Sequence, residues 1–265
     1  MVNFKIVTFN IRFMYDSVDG INCFIHRAAM IADKIEAEAP DIICFQEVTP
    51  QIKAFLDKVL DKYLILGQGR EVNYTGEGVF TAIKKGVIDL IGLEQFWFSE
   101  TPYVTGSKYE GQSEYPRVGL VALVKHRDSV TPFRVFNVHL DSKPHREAVR
   151  VLEIKQLLEK IKYENDKFRI PFVVLGDFNS TPDRDTYSYC LGFNDYPMRD
   201  VTTDLGGSHH GFGKLSVEER KKIDYIFFDK NIANSARNVH YWEDEKDGIY
   251  LSDHYPISCE FTLDE

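Results

Sequence analysis

No apolar run in the 265-residue sequence approaches the roughly 20 residues of a membrane-spanning helix, and no basic head with an apolar signal core follows Met1. The cytoplasm is therefore the expected compartment, with no membrane partner. Cysteine is scarce: Cys23, Cys44, Cys190 and Cys259 are widely separated, form no CxxC pair and sit mostly in or beside apolar runs. That argues against a disulfide framework or a thiolate zinc site. Positive charge is in deficit, with 32 Lys and Arg against 41 Asp and Glu and a net charge of −9. Such a chain repels polyphosphate backbones unless basic residues cluster locally. Pro/Ser-rich linkers and low-complexity tracts are absent, so one domain over residues 1–265 is expected rather than two. What remains, 43% hydrophobic and 28% charged residues, is the composition of a folded globular protein.

The apolar pattern organises the chain into two similar halves. Residues 4–10 alternate toward Asn10, and Ala28, Ile31, Ala32, Ile35 and Ala39 fall at helical spacing before Pro40. The continuous run Asp41-Ile42-Ile43-Cys44-Phe45-Gln46-Glu47 then reads as a strand buried on both faces, with Glu47 at its polar end. Thr49-Pro50 supplies an N-cap and a first-turn proline for the next helix. Runs at 79–83, 88–98, 118–125 and 133–138, broken by Gly, Pro and Ser, predict antiparallel meanders. The opening plan then returns: a strand ending at His139, a helix over 145–163, and the run Phe172-Val173-Val174-Leu175 ending in Gly176-Asp177-Phe178-Asn179. Thr181-Pro182 predicts another capped helix reaching Cys190, and strands over 225–228 and 256–262 close the chain. Two sheets packed face to face, with helices outside, would explain the repetition.

Asn10, Glu47, His139, Asp177, Asn179, Asp224, Asp253 and His254 nearly all stand at the tip of an apolar run, where different strands can bring them to one rim. Singly, each could end a strand or form a turn; the joint pattern is what points to chemistry. An oxygen-rich set without thiolates or HExxH spacing suits a hard cation, magnesium or manganese. Carboxylates alone would repel any anionic ligand, so a basic side chain reaching the rim would change what the rim can bind. The candidates are Arg117, Lys143, Arg146, Arg150 and Lys214, with Arg117 preferred because it stands just before a buried strand. The loop 206–213, with His209 and His210, could form a lip of the pocket.

The strings Phe9-Asn10-Ile11-Arg12, Phe45-Gln46-Glu47-Val48, Asn137-Val138-His139-Leu140-Asp141, Gly176-Asp177-Phe178-Asn179-Ser180-Thr181-Pro182, Ile223-Asp224-Tyr225-Ile226 and Ser252-Asp253-His254-Tyr255-Pro256 occur in this order. Together they resemble the endonuclease/exonuclease/phosphatase superfamily of metal-dependent phosphoesterases. The resemblance implies a DNase I-like α/β (α+β) fold, a four-layer sandwich of two mixed β-sheets flanked by helices. It further implies that Glu47 binds the metal, with Asn10 and Asp253 as further ligands or water holders, and that Asp177 orients the attacking water. Asn179 and His139 would contact the phosphoryl oxygens. His254 would act as base or phosphate stabiliser, with Asp224 fixing its tautomer.

The acidic balance and the lack of a Lys/Arg run favour a phosphatase of a small phosphorylated metabolite such as a sugar phosphate. The alternatives are a nuclease, either a deadenylase-type RNA 3′-exonuclease or a DNA endonuclease, and a non-catalytic binding module on the same scaffold. Gly-Asp-Phe-Asn-Ser-Thr departs from the Gly-Asp-Leu-Asn-Tyr-Arg usual in inositol-polyphosphate 5-phosphatases, which disfavours that branch.

Overall fold

In the computed structural model, which describes residues 1–263, fourteen strands and six α-helices follow one another along the chain. The strands are β1 (Val2–Asn10), β2 (Ile42–Val48), β3 (Tyr63–Leu66), β4 (Gly78–Lys84), β5 (Ile88–Trp97), β6 (Val118–His126), β7 (Phe133–His139), β8 (Phe172–Asp177), β9 (Met198–Asp200), β10 (Asp224–Asp229), β11 (Arg237–Tyr241), β12 (Glu245–Lys246), β13 (Ile249–Tyr250) and β14 (Ile257–Leu263). The helices are α1 (Asp16–Asp19), α2 (Phe24–Glu38), α3 (Pro50–Val59), α4 (Glu147–Lys167), α5 (Asp185–Leu191) and α6 (Lys230–Ala233). One six-stranded sheet has the order β11-β14-β1-β2-β4-β3 and the other β5-β6-β7-β8-β10-β9. At the centre of each is one parallel pair, β1·β2 and β7·β8, joined through α2 and α4 respectively. The remaining pairs are antiparallel, so both sheets are mixed, as the repeated strand–helix–strand plan predicts.

Side-chain alternation sorts the apolar residues into layers. Phe4 and Ile6, Ile42 and Cys44, Phe133 and Val135, Val173 and Leu175, and Ile226 and Phe228 interdigitate between the sheets. The opposite faces of β1 and β2 carry Val7, Phe9, Ile43 and Phe45 onto α2 and α3, whose apolar stripes include Ile31, Ile35, Ile52 and Leu56. Phe136, Val138, Phe172 and Val174 likewise meet Ile154, Leu158 and Ile161 of α4. The order is helices, sheet, sheet, helices: the four-layer sandwich expected from the sequence. The chain changes sheets between β4 and β5, so the antiparallel meanders expected over this region are divided between both sheets.

The helix expected from Thr181-Pro182 starts later, at Asp185. The Thr181 hydroxyl bonds to the Asp183 carboxylate instead of capping. The cap of α5 comes from a distant residue: Glu147, at the start of α4, accepts the Thr186 N–H at 2.9 Å. Thr49 behaves as predicted, accepting from Ile52 N at 3.4 Å with Pro50 in the first turn.

Candidate active site

The period of two that builds the core also builds the site. Continuing the core-facing series in steps of two reaches Thr8 and then Asn10 on β1, Gln46 on β2, Asn137 and then His139 on β7, and Asp177 on β8; stepping back by two from Ile226 on β10 reaches Asp224. The core-facing side chains thus turn polar at one end of the sandwich. The first polar layer is wholly buried and sequence reasoning gave it no role. Gln46 Nε2 donates to Asn137 Oδ1 at 2.9 Å, and Asn137 Nδ2 donates to the carbonyls of Phe80 and Phe45 at 3.0 and 3.2 Å. It ties the sheets together beneath the rim.

Glu47 breaks the alternation. A bulge against β4 leaves Phe45 and Val48 both on the helix side, and Glu47 takes a left-handed φ of 62°. That conformation costs on the order of 1 kcal/mol for a non-glycine residue, and with it the Glu47 carboxylate lines the cleft. Asn10 Nδ2 bridges Glu47 Oε1 at 3.1 Å and Asp177 Oδ2 at 2.9 Å, while the Phe13 N–H donates to Glu47 Oε2 at 3.0 Å. The other Asp177 oxygen accepts from Asn179 N at 2.8 Å; Asn179, at φ 50°, donates its side-chain amide to Leu140 O. His254 Nδ1 meets Asp224 Oδ2 at 2.7 Å, and Ser208 Oγ donates to that same oxygen at 2.6 Å. Asp253 lies beside Ser252, Arg12 and His209.

These groups open on a cleft of about 340 Å³, lined by Glu47, His139, Asp177, Asn179, Asp253 and His254 together with Arg12, Arg150, Arg184, His209 and Lys221. Of the expected residues, Asn10 lies behind this lining as a spacer between two acids, and Asp224 lies behind His254. Arg117 is on the far side of His139, in a smaller recess. Of the other basic candidates only Arg150 reaches the cleft. Within the loop 206–213, His209 forms part of the wall, whereas His210 is buried and stacked on Tyr255 at 3.9 Å.

The electrostatics divide the two histidines. Burial, reinforced by Arg117 and Arg70, holds the His139 imidazole well below its ordinary value, so it is neutral. Burial also opposes charge on His254, but Asp224, Asp253 and Asp177 together raise it well above the ordinary value. Burial and the neighbouring Asp224 carboxylate push Asp177 up to about 7. Burial raises Glu47 as well, helped by repulsion from Glu77 and Asp253.

Glu77, Arg70 and Arg27 were missed by the sequence reading. Ligand atoms of Glu47, Glu77 and His139 lie within 4.8 Å of one another. Glu77 precedes the apolar start of β4, the same strand-tip position that singled out the other acids, so its signal was present. Arg27 had none: it is fully buried within α2 and donates to the carbonyls of Asn22, Ile11, Leu251 and Arg12 at 2.6 to 3.1 Å. It fastens the segment carrying Arg12 and Phe13 to the one entering Ser252-Asp253-His254. With these neighbours the donor set, carboxylate oxygens with no thiolate among them, fits a hard divalent cation, and Glu47 is held up by burial and by repulsion from Glu77 and Asp253. All four cysteines are buried and unpaired.

A two-sheet sandwich with this acid, amide and histidine rim defines the DNase I-like class of α+β proteins. The chain belongs to the Endonuclease/Exonuclease/phosphatase family, whose model matches residues 7–254. The structure of a Bacteroides vulgatus family member superposes with a TM-score of 0.90 at 25% identity over the full length of both chains. The Bacteroides thetaiotaomicron mannosyl-6-phosphatase superposes at 0.82 with 23% identity, over 98% of this chain and all of the other. Human nocturnin is 22% identical over 90% of this chain and 58% of its own length. The Candida albicans 3′-5′-exoribonuclease subunit Ccr4 is 24% identical over 84% of this chain and 35% of its own length. The chain thus spans well under two thirds of these two curated relatives. No helix among the described residues is long and apolar enough to cross a membrane.

Proposed function

We propose that this protein is a magnesium- or manganese-dependent phosphatase acting on a small phosphorylated metabolite, such as a sugar phosphate, in the cytoplasm. The observation that carries the small-substrate reading is the cleft. Its volume of about 340 Å³ lies within the roughly 300–1,000 Å³ of small-molecule sites, and several of its cations are already engaged. Arg12 is held by Asp19 at 3.0 Å and Arg150 by Glu147 at 2.9 Å. A nucleic-acid strand needs a continuing row of free cations and ring faces, on a chain whose net charge is −9.

Glu47, Glu77 and Asp253, with Asn10 as a further ligand or water holder, would hold the metal. When bound, the dication supplies positive charge against the phosphoryl oxygens. Asp177, fixed by Asn10 and by the Asn179 N–H, orients the attacking water and accepts its proton. His254 has Nδ1 committed to Asp224, leaving Nε2 to meet a phosphoryl oxygen as charge develops. His139 and the Asn179 amide contact the same phosphate. Positioning and such electrostatic complementarity are the main sources of phosphoryl-transfer catalysis.

The test is magnesium-dependent turnover on a panel of sugar phosphates, nucleotides, single-stranded RNA and DNA, with Asp177→Asn as background. Phosphate release from a sugar phosphate, absent in the variant, is the expected result. Shortening or nicking of nucleic acid without monoester hydrolysis would replace it with the nuclease reading, which the similarity to Ccr4 supports. A substrate outside the panel or the binding module is what is left if nothing turns over.

A further inference from the structure

Beside His139, on the side away from Asn179, lies a recess lined by Arg70, Glu77, Gly78, Val79, Arg117 and Val118. Two guanidinium groups converge on it and both are deeply buried, Arg70 at 5% and Arg117 at 4% exposure. Arg117 makes one side-chain contact, Nη2 to Ser142 Oγ at 2.8 Å; its Nε and Nη1 have no partner. Among the described residues, no carboxylate lies within 4.0 Å of it. Arg70 is paired through Nη1 with Glu77 at 2.9 Å and is covered by the Tyr115 ring at 4.7 Å, but its buried Nε makes no hydrogen bond, Glu71 being 4.0 Å away.

A buried, unpaired arginine is costly unless an acceptor arrives. Three nitrogens here, Arg117 Nε and Nη1 and Arg70 Nε, await one, and a single water accepts at most about two hydrogen bonds and brings no charge to the unpaired Arg117. The free volume of the recess, about 10 Å³, admits one oxygen-sized atom. One oxygen of an anionic group, with the remainder outside toward the cleft that His139 also lines, meets both requirements.

We propose that Arg70 and Arg117 form an anion subsite for a second acidic group of the substrate, a phosphate or a carboxylate, distinct from the phosphate that is hydrolysed. The inference rests on the phosphatase reading and narrows it: the preferred substrates carry two acidic groups. Tyr115, stacked on Arg70, and Ser142, bonded to Arg117, hold the donors in place.

The experiment compares kcat/KM for hexose 6-phosphate, hexose 1,6-bisphosphate and 6-phosphogluconate in the parent, Arg117→Gln, Arg117→Lys and Arg70→Gln proteins, each checked for an unchanged melting transition. At least about a tenfold preference for one doubly acidic substrate is expected in the parent, the size of one charge-assisted contact. It should collapse toward unity in both glutamine variants and be partly kept by Arg117→Lys. The bisphosphate and phosphogluconate arms tell whether phosphate or carboxylate is taken. An equal loss on all three substrates would overturn the proposal, by placing both arginines on the scissile phosphate. So would a parent preference that survives both substitutions, which would make them structural. If the parent hydrolyses none of the three, titration with inorganic sulfate decides the subsite independently of the phosphatase reading. Binding lost in both glutamine variants would uphold it, and absence of binding to the parent would remove it.

Discussion

Replacing Asp224 by Asn tests the charge state of His254, on which the proposed role as phosphate stabiliser depends. The parent pair is short at 2.7 Å and buried, with 3% of the Asp224 side chain and 8% of the His254 side chain exposed. Asn keeps the shape and the Ser208 contact but removes the charge. Breaking a buried pair leaves an uncompensated ion and costs about 3–5 kcal/mol, less whatever His254 recovers by shedding its proton. Because the folded-state pKa of His254 is raised above its ordinary value of 6.5, its charge contributes stability that is fully present below about pH 6.5. That contribution is lost as pH rises toward the folded value, at about 1.4 kcal/mol per pH unit. In Asp224→Asn, burial dominates and the contribution largely disappears. The stability difference between parent and variant, measured by urea unfolding with chelator present, should therefore be largest below pH 6.5 and shrink as pH rises above it. Titration of the His254 ring by NMR should show a fall in its pKa, and turnover should drop by about 10²–10⁴, the usual value of a positioned proton-transfer or charge-stabilising group. A difference that stays flat from pH 6 to 8.5, with an unmoved ring titration, would refute the reasoning.

Glu47→Gln relieves the crowding with Glu77 and Asp253, so the metal-free variant should melt at or above the parent temperature. Magnesium should raise the melting temperature of the parent but not of the variant, and hydrolysis should fall at least about a hundredfold; an equal magnesium shift in both would remove Glu47 from the metal site. Asn137→Ala breaks the bonds that cross between the sheets and strands buried acceptors at about 1–3 kcal/mol. At roughly 2–4 °C per kcal/mol for a chain of this size, melting should fall by several degrees, and an unchanged scan would show that the polar layer carries no stability.

Much of the site was legible because a strand's period of two needs no tertiary information. Once Phe4 and Ile6 face the core, so must the Thr8 and Asn10 positions, and Val173 and Leu175 carry Asp177 with them. Strand tips therefore announced Asn10, Glu47, His139, Asp177 and Asp224, and the ordered strings of residues added Asn179, Asp253 and His254. Glu77 obeyed the same rule and was overlooked, being a single acid between two glycines.

What the sequence by itself determined was local: which runs are strands, which face each residue takes, and which strand ends are polar. Only the tertiary structure decided how those ends combine. The bulge at Glu47 reverses the face that alternation assigns, because the pairing with β4, not the run itself, places the extra residue. The cap of α5 comes from Glu147, thirty-nine residues before Thr186. Arg27 and Arg70 read as ordinary charges along the chain, and Arg117 stood out only by its place just before a buried strand. Their meaning rests on which carbonyls, or which missing acceptors, surround a buried guanidinium, and burial is a property of packing that no local pattern encodes.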